Sequence, residues 1–113
     1  MIEFDNQTTI SELVAKNDAV MLFYYAKWCS PCKSITQTLL SLKNIFENKI
    51  EIISINVDEF PILTLENNAK SVPTLQYFKN GLLYLKESGF RTKDQLTKNM
   101  NALLIINNDG FLN

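Results

Sequence analysis

Apolar and polar positions along the chain switch between two periods, and the clearest signal is the unbroken apolar and aromatic run from Ala19 to Tyr25. The run is too short for a typical helix and suits a central strand buried on both faces. Before it, Ile2 to Phe4 reads as a short extended piece and Ser11 to Lys16 as a helix, with Thr9 and Glu12 spaced as a capping box. After it, Ile35, Leu39, Leu42 and Phe46 recur on one helical stripe. That spacing predicts a helix of about four turns, with Pro31 suited to its first position. Ile50 to Val57 is rich in β-branched residues and reads as a further strand, and Glu59 to Asn68 as a shorter helix.

Leu75 to Lys79 and Leu82 to Glu87 are apolar runs separated by Asn80-Gly81, a two-residue hairpin signal that predicts antiparallel pairing. Thr92-Lys93-Asp94-Gln95 supplies a second capping box, and Leu96, Met100, Leu103 and Leu104 give the last helix its buried stripe. The tail from Asn107 is polar and is expected to fray. A strand–helix–strand unit followed by a hairpin and a closing helix implies an α/β fold, a central mixed β-sheet flanked by helices on both faces. No repeat or linker interrupts it, so residues 1–106 are read as a single domain and 107–113 as a C-terminal tail.

Composition narrows the function more than the fold. The 113 residues hold 46% apolar positions, enough for one core, and carry a net charge of −1 from 11 basic and 12 acidic residues mixed along the chain. No basic stripe is present to track a phosphate backbone or an anionic membrane, so neither nucleic acid nor membrane is an expected partner. Glu3 and Asp5 break the apolar start, which gives neither a signal-peptide core nor a span, and the expected location is cytoplasmic. Asn6-Gln7-Thr8 matches a glycosylation acceptor and, without an export signal, is read as chance. A monomer is the default expectation.

The chemistry lies in Trp28-Cys29-Ser30-Pro31-Cys32-Lys33, which holds the only two cysteines. A Cys-x-x-Cys pair is a redox dithiol, half of a metal site, or two incidental thiols. Two Cys and no His cannot complete a tetrahedral zinc site within one subunit, and an iron–sulfur cluster would need a second chain. The absence of His also removes any Cys-His or Ser-His-Asp nucleophile. Redox chemistry is the favoured reading, with a shared metal and inert structure as alternatives. At a helix start, unpaired N–H groups favour negative charge, and Cys29 occupies that place. Lowering a thiol pKa from about 8.5 to about 7 raises its thiolate fraction at neutral pH from roughly 3% to about half. Lys27 and Lys33 flank the site and add modest attraction, or are simply solvated. On this reading Cys29 attacks a substrate disulfide and Cys32, one turn along, resolves the mixed disulfide and leaves the domain oxidised. The redox-active disulfide Cys29–Cys32 is then the working group, with no bound cofactor.

The chain resembles the thioredoxin family along nearly its whole length. The resemblance rests on the strand ending Tyr24-Tyr25-Ala26, the Trp28-Cys29-x-Pro31-Cys32-Lys33 segment, Asn56-Val57-Asp58, Val72-Pro73-Thr74, Lys79-Asn80-Gly81 and Gly89. It implies the thioredoxin fold, a protein-disulfide reductase in cell redox homeostasis, protein disulfides as substrates, and recharging by a thioredoxin-reductase-type flavoprotein. It also implies a cis bond at Pro73 facing the disulfide, although X-Pro bonds alone are cis in only about 5–6% of cases. Trp28, Val72, Pro73, Thr74 and Gly89 would form a shallow apolar groove that pairs with an extended substrate segment. Trp28 as a plain core aromatic is the alternative.

Three positions depart from the family pattern. Phe23 occupies the place of a common buried aspartate, and Ser54 that of the lysine which often accompanies it. The usual proton acceptor for Cys32 is then missing, or the core is merely more apolar and more stable. Ser30 replaces a common glycine, and its hydroxyl either donates to the Cys29 thiolate or serves as a solvated helix-cap serine. Two further function classes remain open: a disulfide oxidase or isomerase, and a binding subunit of the same fold whose cysteines are incidental.

Overall fold

The computed structural model describes residues 1–106, and the C-terminal tail read from Asn107 lies outside the described residues. The strands are β1 (Ile2–Glu3), β2 (Ala19–Tyr25), β3 (Glu51–Asn56), β4 (Thr74–Lys79) and β5 (Leu82–Ser88). The helices are α1 (Ile10–Lys16), α2 (Ser30–Ser41), α3 (Lys43–Phe46), α4 (Pro61–Glu66) and α5 (Lys93–Ile105). The strands form one sheet in the order β1-β3-β2-β4-β5. β1, β3 and β2 run parallel, and β4 and β5 are antiparallel to their neighbours. This is the mixed sheet expected from the sequence.

β2 is the central strand, and its alternating side chains serve two cores. Met21 and Phe23 join Ile35, Leu39 and Leu42 from the α2 side and Leu96, Met100 and Leu103 of α5 on one face. Val20, Leu22 and Tyr24 join Ile10 and Val14 of α1 and Ile53 and Ile55 of β3 on the other. Both sides of the strand are therefore covered by helices.

Helix ends follow local chemistry. The Thr92 hydroxyl accepts from the Gln95 N–H while the Gln95 carboxamide accepts from the Thr92 N–H, completing the second box. Thr9 makes only the first half of its box, accepting from the Glu12 N–H, and α1 starts one residue earlier than expected, at Ile10. The long helix predicted to run on to Phe46 is divided at Leu42, whose N–H reaches both Thr38 O and Leu39 O. The Thr38 hydroxyl donates back to Ser34 O and the Ser41 hydroxyl to Thr38 O, and such back-bonding bends helices. The apolar stripe continues across the break, because Leu42 and Phe46 are both buried. α4 is shorter than Glu59 to Asn68, since Pro61 sits in its first turn and Asn68 takes a left-handed φ of 59° beyond its end. Asn80 and Gly81 have φ of 49° and 85°, the left-handed pair a two-residue hairpin needs.

Candidate functional site

The site forms where β2 ends. Tyr24 pairs with Thr74 across β2 and β4, so the segment after Tyr25 and the segment before Thr74 meet at one end of the sheet. Cys29 is the N-cap of α2 in extended conformation (φ −88°, ψ 107°), with Ser30 first in the helix and Pro31 second, one place later than expected. A proline in the first turn forfeits no intrahelical bond, because the first N–H groups have no acceptor behind them.

Cys29 and Cys32 are joined in a disulfide with Cα atoms 5.3 Å apart. The Cys32 N–H donates to Cys29 Sγ at 3.2 Å, so a sulfur occupies the place that a serine or aspartate oxygen takes at an ordinary N-cap. Both sulfurs are sheltered, with Cys29 4% and Cys32 1% exposed. Cys32 and the α2 backbone are tied further by the Thr36 hydroxyl, which donates to Cys32 O at 3.0 Å. Ser30, Lys27 and Lys33 are exposed, as solvated side chains are.

Trp28 stands 70% exposed instead of in the core. Its indole Nε1–H donates to Asp58 Oδ2 at 2.9 Å, and the Asp58 N–H donates to Asn56 Oδ1 at 2.9 Å. The turn after β3 therefore orients the ring beside the disulfide. Asp58 belongs to the Asn56-Val57-Asp58 motif, and nothing in local spacing links it to Trp28, so far apart along the chain.

The Val72–Pro73 bond is cis, as the family resemblance implies and contrary to the trans geometry that residue type alone favours. Val72 packs against the cluster that contains both cysteines. Gly89, at φ 95°, donates its N–H to Pro73 O at 2.9 Å, and Thr74 meets Ser88 hydroxyl to hydroxyl at 3.1 Å. These contacts join the β4 entrance to the β5 exit. Phe90, half-exposed just after Gly89, adds an aromatic surface that no motif in the sequence marks.

Phe23 and Ser54 are direct neighbours across β2 and β3. Phe23 is 1% exposed with its ring 5.7 Å from that of Tyr25, and the Ser54 hydroxyl donates to Ile2 O at 3.4 Å. A cleft of about 320 Å³ opens beside Cys32, bounded by Tyr25, Lys33, Thr36 and Gln37. A larger cavity of about 580 Å³ lies at the opposite end of the sheet, near Asp18 and Glu51, and has no cysteine among its lining residues.

The family model described as Thioredoxin matches residues 2–102. Thioredoxin from Rickettsia bellii (strain RML369-C) is 31% identical over 94 residues, 82% of this chain and 90% of that protein. The chloroplastic M-type thioredoxin of Spinacia oleracea is 35% identical over 77 residues, 67% of this chain and 42% of that protein. Among solved structures, a single-substitution mutant of thioredoxin from Halobacterium salinarum NRC-1 superposes with a TM-score of 0.81 at 25% identity, covering 91% of this chain and 89% of that one. Mitochondrial thioredoxin 3 from Saccharomyces cerevisiae in its oxidized form gives 0.79 at 28%, covering 89% and 93%.

A mixed sheet of this order with a Cys-x-x-Cys disulfide capping the helix after its central strand defines a thiol–disulfide oxidoreductase. The chain belongs to the thioredoxin family. Its reaction is thiol–disulfide reduction with Cys29–Cys32 as the redox group, and the family generally acts on protein disulfides and is recharged by thioredoxin reductase.

Proposed function

We propose that this chain is a cytoplasmic electron carrier in which Cys29 attacks a protein disulfide and Cys32 resolves the mixed disulfide. The carrying observation is the sulfur at the N-cap: Cys29 Sγ already accepts the Cys32 N–H at 3.2 Å. That donor, together with the positive end of α2, stabilises a thiolate at Cys29 in the reduced state. Cys32 lies inside the first turn and is suited to the second step. Trp28, Val72, Pro73, Thr74 and Gly89 form the substrate groove, where an extended segment pairs with backbone beside the exposed Trp28 ring, although the Thr74 side chain itself is buried. An NADPH-dependent flavoprotein reductase recharges the disulfide. The cytoplasmic reading rests on both cysteines being committed to the redox pair, since reducing compartments favour catalytic over structural disulfides.

The test is the equilibrium reduction potential of the Cys29–Cys32 couple, titrated against a thiol–disulfide buffer. A value near the thioredoxin figure of about −270 mV is expected, whereas one near about −120 mV would identify an oxidant.

A further inference from the structure

Resolution of the mixed disulfide needs Cys32 as a thiolate, yet Phe23, which shares its buried cluster, and Ser54, paired with Phe23 across β2 and β3, accept no proton at neutral pH. The cleft beside Cys32 offers a different route. It is lined by Cys32 and Tyr25, and Cys29 is not among its lining residues. At about 320 Å³ it exceeds the roughly 30 Å³ that one water occupies, and the Thr36 hydroxyl and Gln37 amide on its wall supply polar partners. The Tyr25 hydroxyl donates to the Glu3 Oε1 carboxylate oxygen at 2.6 Å, a short charge-assisted bond.

Strand register explains how this carboxylate arrives there. Glu3 pairs with Ser54, Ser54 with Phe23, and Tyr25 with Asn56, so all five lie on the face of the sheet beneath α2. A carboxylate that β2 lacks at Phe23 is thus presented by the edge strand, two strands away, and bridged back by Tyr25. Burial, then the hydrogen bond and charge of Glu3, then Glu59, hold the Tyr25 phenol neutral well above the ordinary tyrosine range, with Asn56 acting weakly the other way. Tyr25 therefore stays neutral near physiological pH. The charged groups that line the cleft are Lys27 and Lys33.

We propose that Tyr25 and Glu3 form the proton exit for Cys32, through water in this cleft, during resolution of the mixed disulfide. The proposal rests on Cys29 being the attacking and Cys32 the resolving thiol. The Cys32 thiol gives its proton to water, water gives one to the Tyr25 hydroxyl, and Tyr25 passes its own to Glu3. The Cys32 thiolate pair then forms the bond to Cys29 Sγ as the bond from Cys29 to the substrate sulfur breaks. That sulfur departs as a thiolate with the bonding pair, so the protein dithiol is oxidised by two electrons and the substrate is reduced.

The experiment is stopped-flow reaction of the reduced protein with the symmetrical aromatic disulfide of thionitrobenzoate. The first coloured thiolate reports attack by the protein and the second reports resolution. This leaving group needs no proton, so the second phase isolates deprotonation of Cys32. Glu3→Gln, on the exposed edge, and Tyr25→Phe are expected to keep the first phase and slow the second about tenfold near neutral pH. That is less than the usual 10²–10⁴ for a general base, because bulk water still competes. The slowing should shrink as pH rises, because hydroxide then competes with the relay for the Cys32 proton, and the double variant should be no slower than the slower single. Second-phase rates equal to the parent at every pH, or a slowing that stays constant with pH, would overturn the relay. Release of one equivalent by Cys32→Ala supports the assignment of attacker. Release by Cys29→Ala instead would remove that assignment independently of the Tyr25 and Glu3 results.

Discussion

Phe23 fills, with 1% of its surface exposed, a place directly behind the resolving cysteine's helix, and its ring packs toward Tyr25. An aspartate there would lie in the same buried cluster as Cys32 and offer a nearby proton acceptor. Phe23→Asp is expected to speed release of the second sulfur in a single turnover by at least about tenfold, below the usual contribution of a general base. The same change should lower unfolding free energy by about 3–5 kcal/mol for the lost ring, with desolvation of the carboxylate adding to it. Stopped-flow release and urea denaturation read the two effects separately. Equal release rates in parent and variant would show that proton removal from Cys32 does not limit resolution. At this scale Cys29, Cys32 and Trp28 were legible because they are adjacent in sequence and their chemistry depends on that adjacency. Asp58 and Glu3 were not, because each reaches its partner, Trp28 or Tyr25, only through the pairing of β3 with its neighbours.

Between elements, one buried polar bridge sets how the groove loop enters β4. The Tyr24 hydroxyl donates to Gln76 Oε1 at 2.9 Å, and Gln76 Nε2 donates to Asn67 O at 2.8 Å, tying β2, β4 and the end of α4 together. From Asn67 the chain runs through Ala69 to Val72 and the cis Pro73, so the bridge anchors the loop that carries the groove. Gln76→Leu is expected to cost about 1–3 kcal/mol, because it strands a buried hydroxyl and a backbone carbonyl without partners. Urea unfolding should register the loss, and an unchanged midpoint would show that both groups find other partners. A glutamine inside an apolar strand carries no such message in sequence, since only the packing of Tyr24 against it reveals the bond. The strands and the hairpin were legible from β-branched runs and Asn80-Gly81, where local chemistry decides. The break at Leu42 was hidden because the apolar stripe from Ile35 to Phe46 runs straight through it, while the serines and threonines that bend the helix sit on its polar side.

Across the whole molecule, the two cores on either side of β2 each enclose a phenol. Tyr24 and Tyr77 are fully buried, and burial raises both above the ordinary tyrosine value of 10.0, with the Glu87 charge adding to the effect at Tyr77. Folding holds these phenols neutral, so above about pH 10 the unfolded chain binds fewer protons than the native one. Stability is then fully present below that pH and falls as pH rises. Each tyrosine adds a slope of up to about 1.4 kcal/mol per pH unit. Tyr77 differs from Tyr24 in one respect: among the described residues its hydroxyl has no hydrogen-bond partner, whereas that of Tyr24 is engaged by Gln76. Tyr77→Phe is therefore expected to raise stability near neutral pH by about 1 kcal/mol and to lower the alkaline slope by roughly a third, since Tyr24 and Tyr25 are raised as well. Urea midpoints measured from pH 7 to pH 11, with tyrosinate absorbance followed in parallel, check both effects at once. A slope unchanged by Tyr77→Phe would place the alkaline sensitivity at Tyr24 and Tyr25. A loss of stability at neutral pH would mean that the Tyr77 hydroxyl is engaged in solution, through Asn99 or a trapped water.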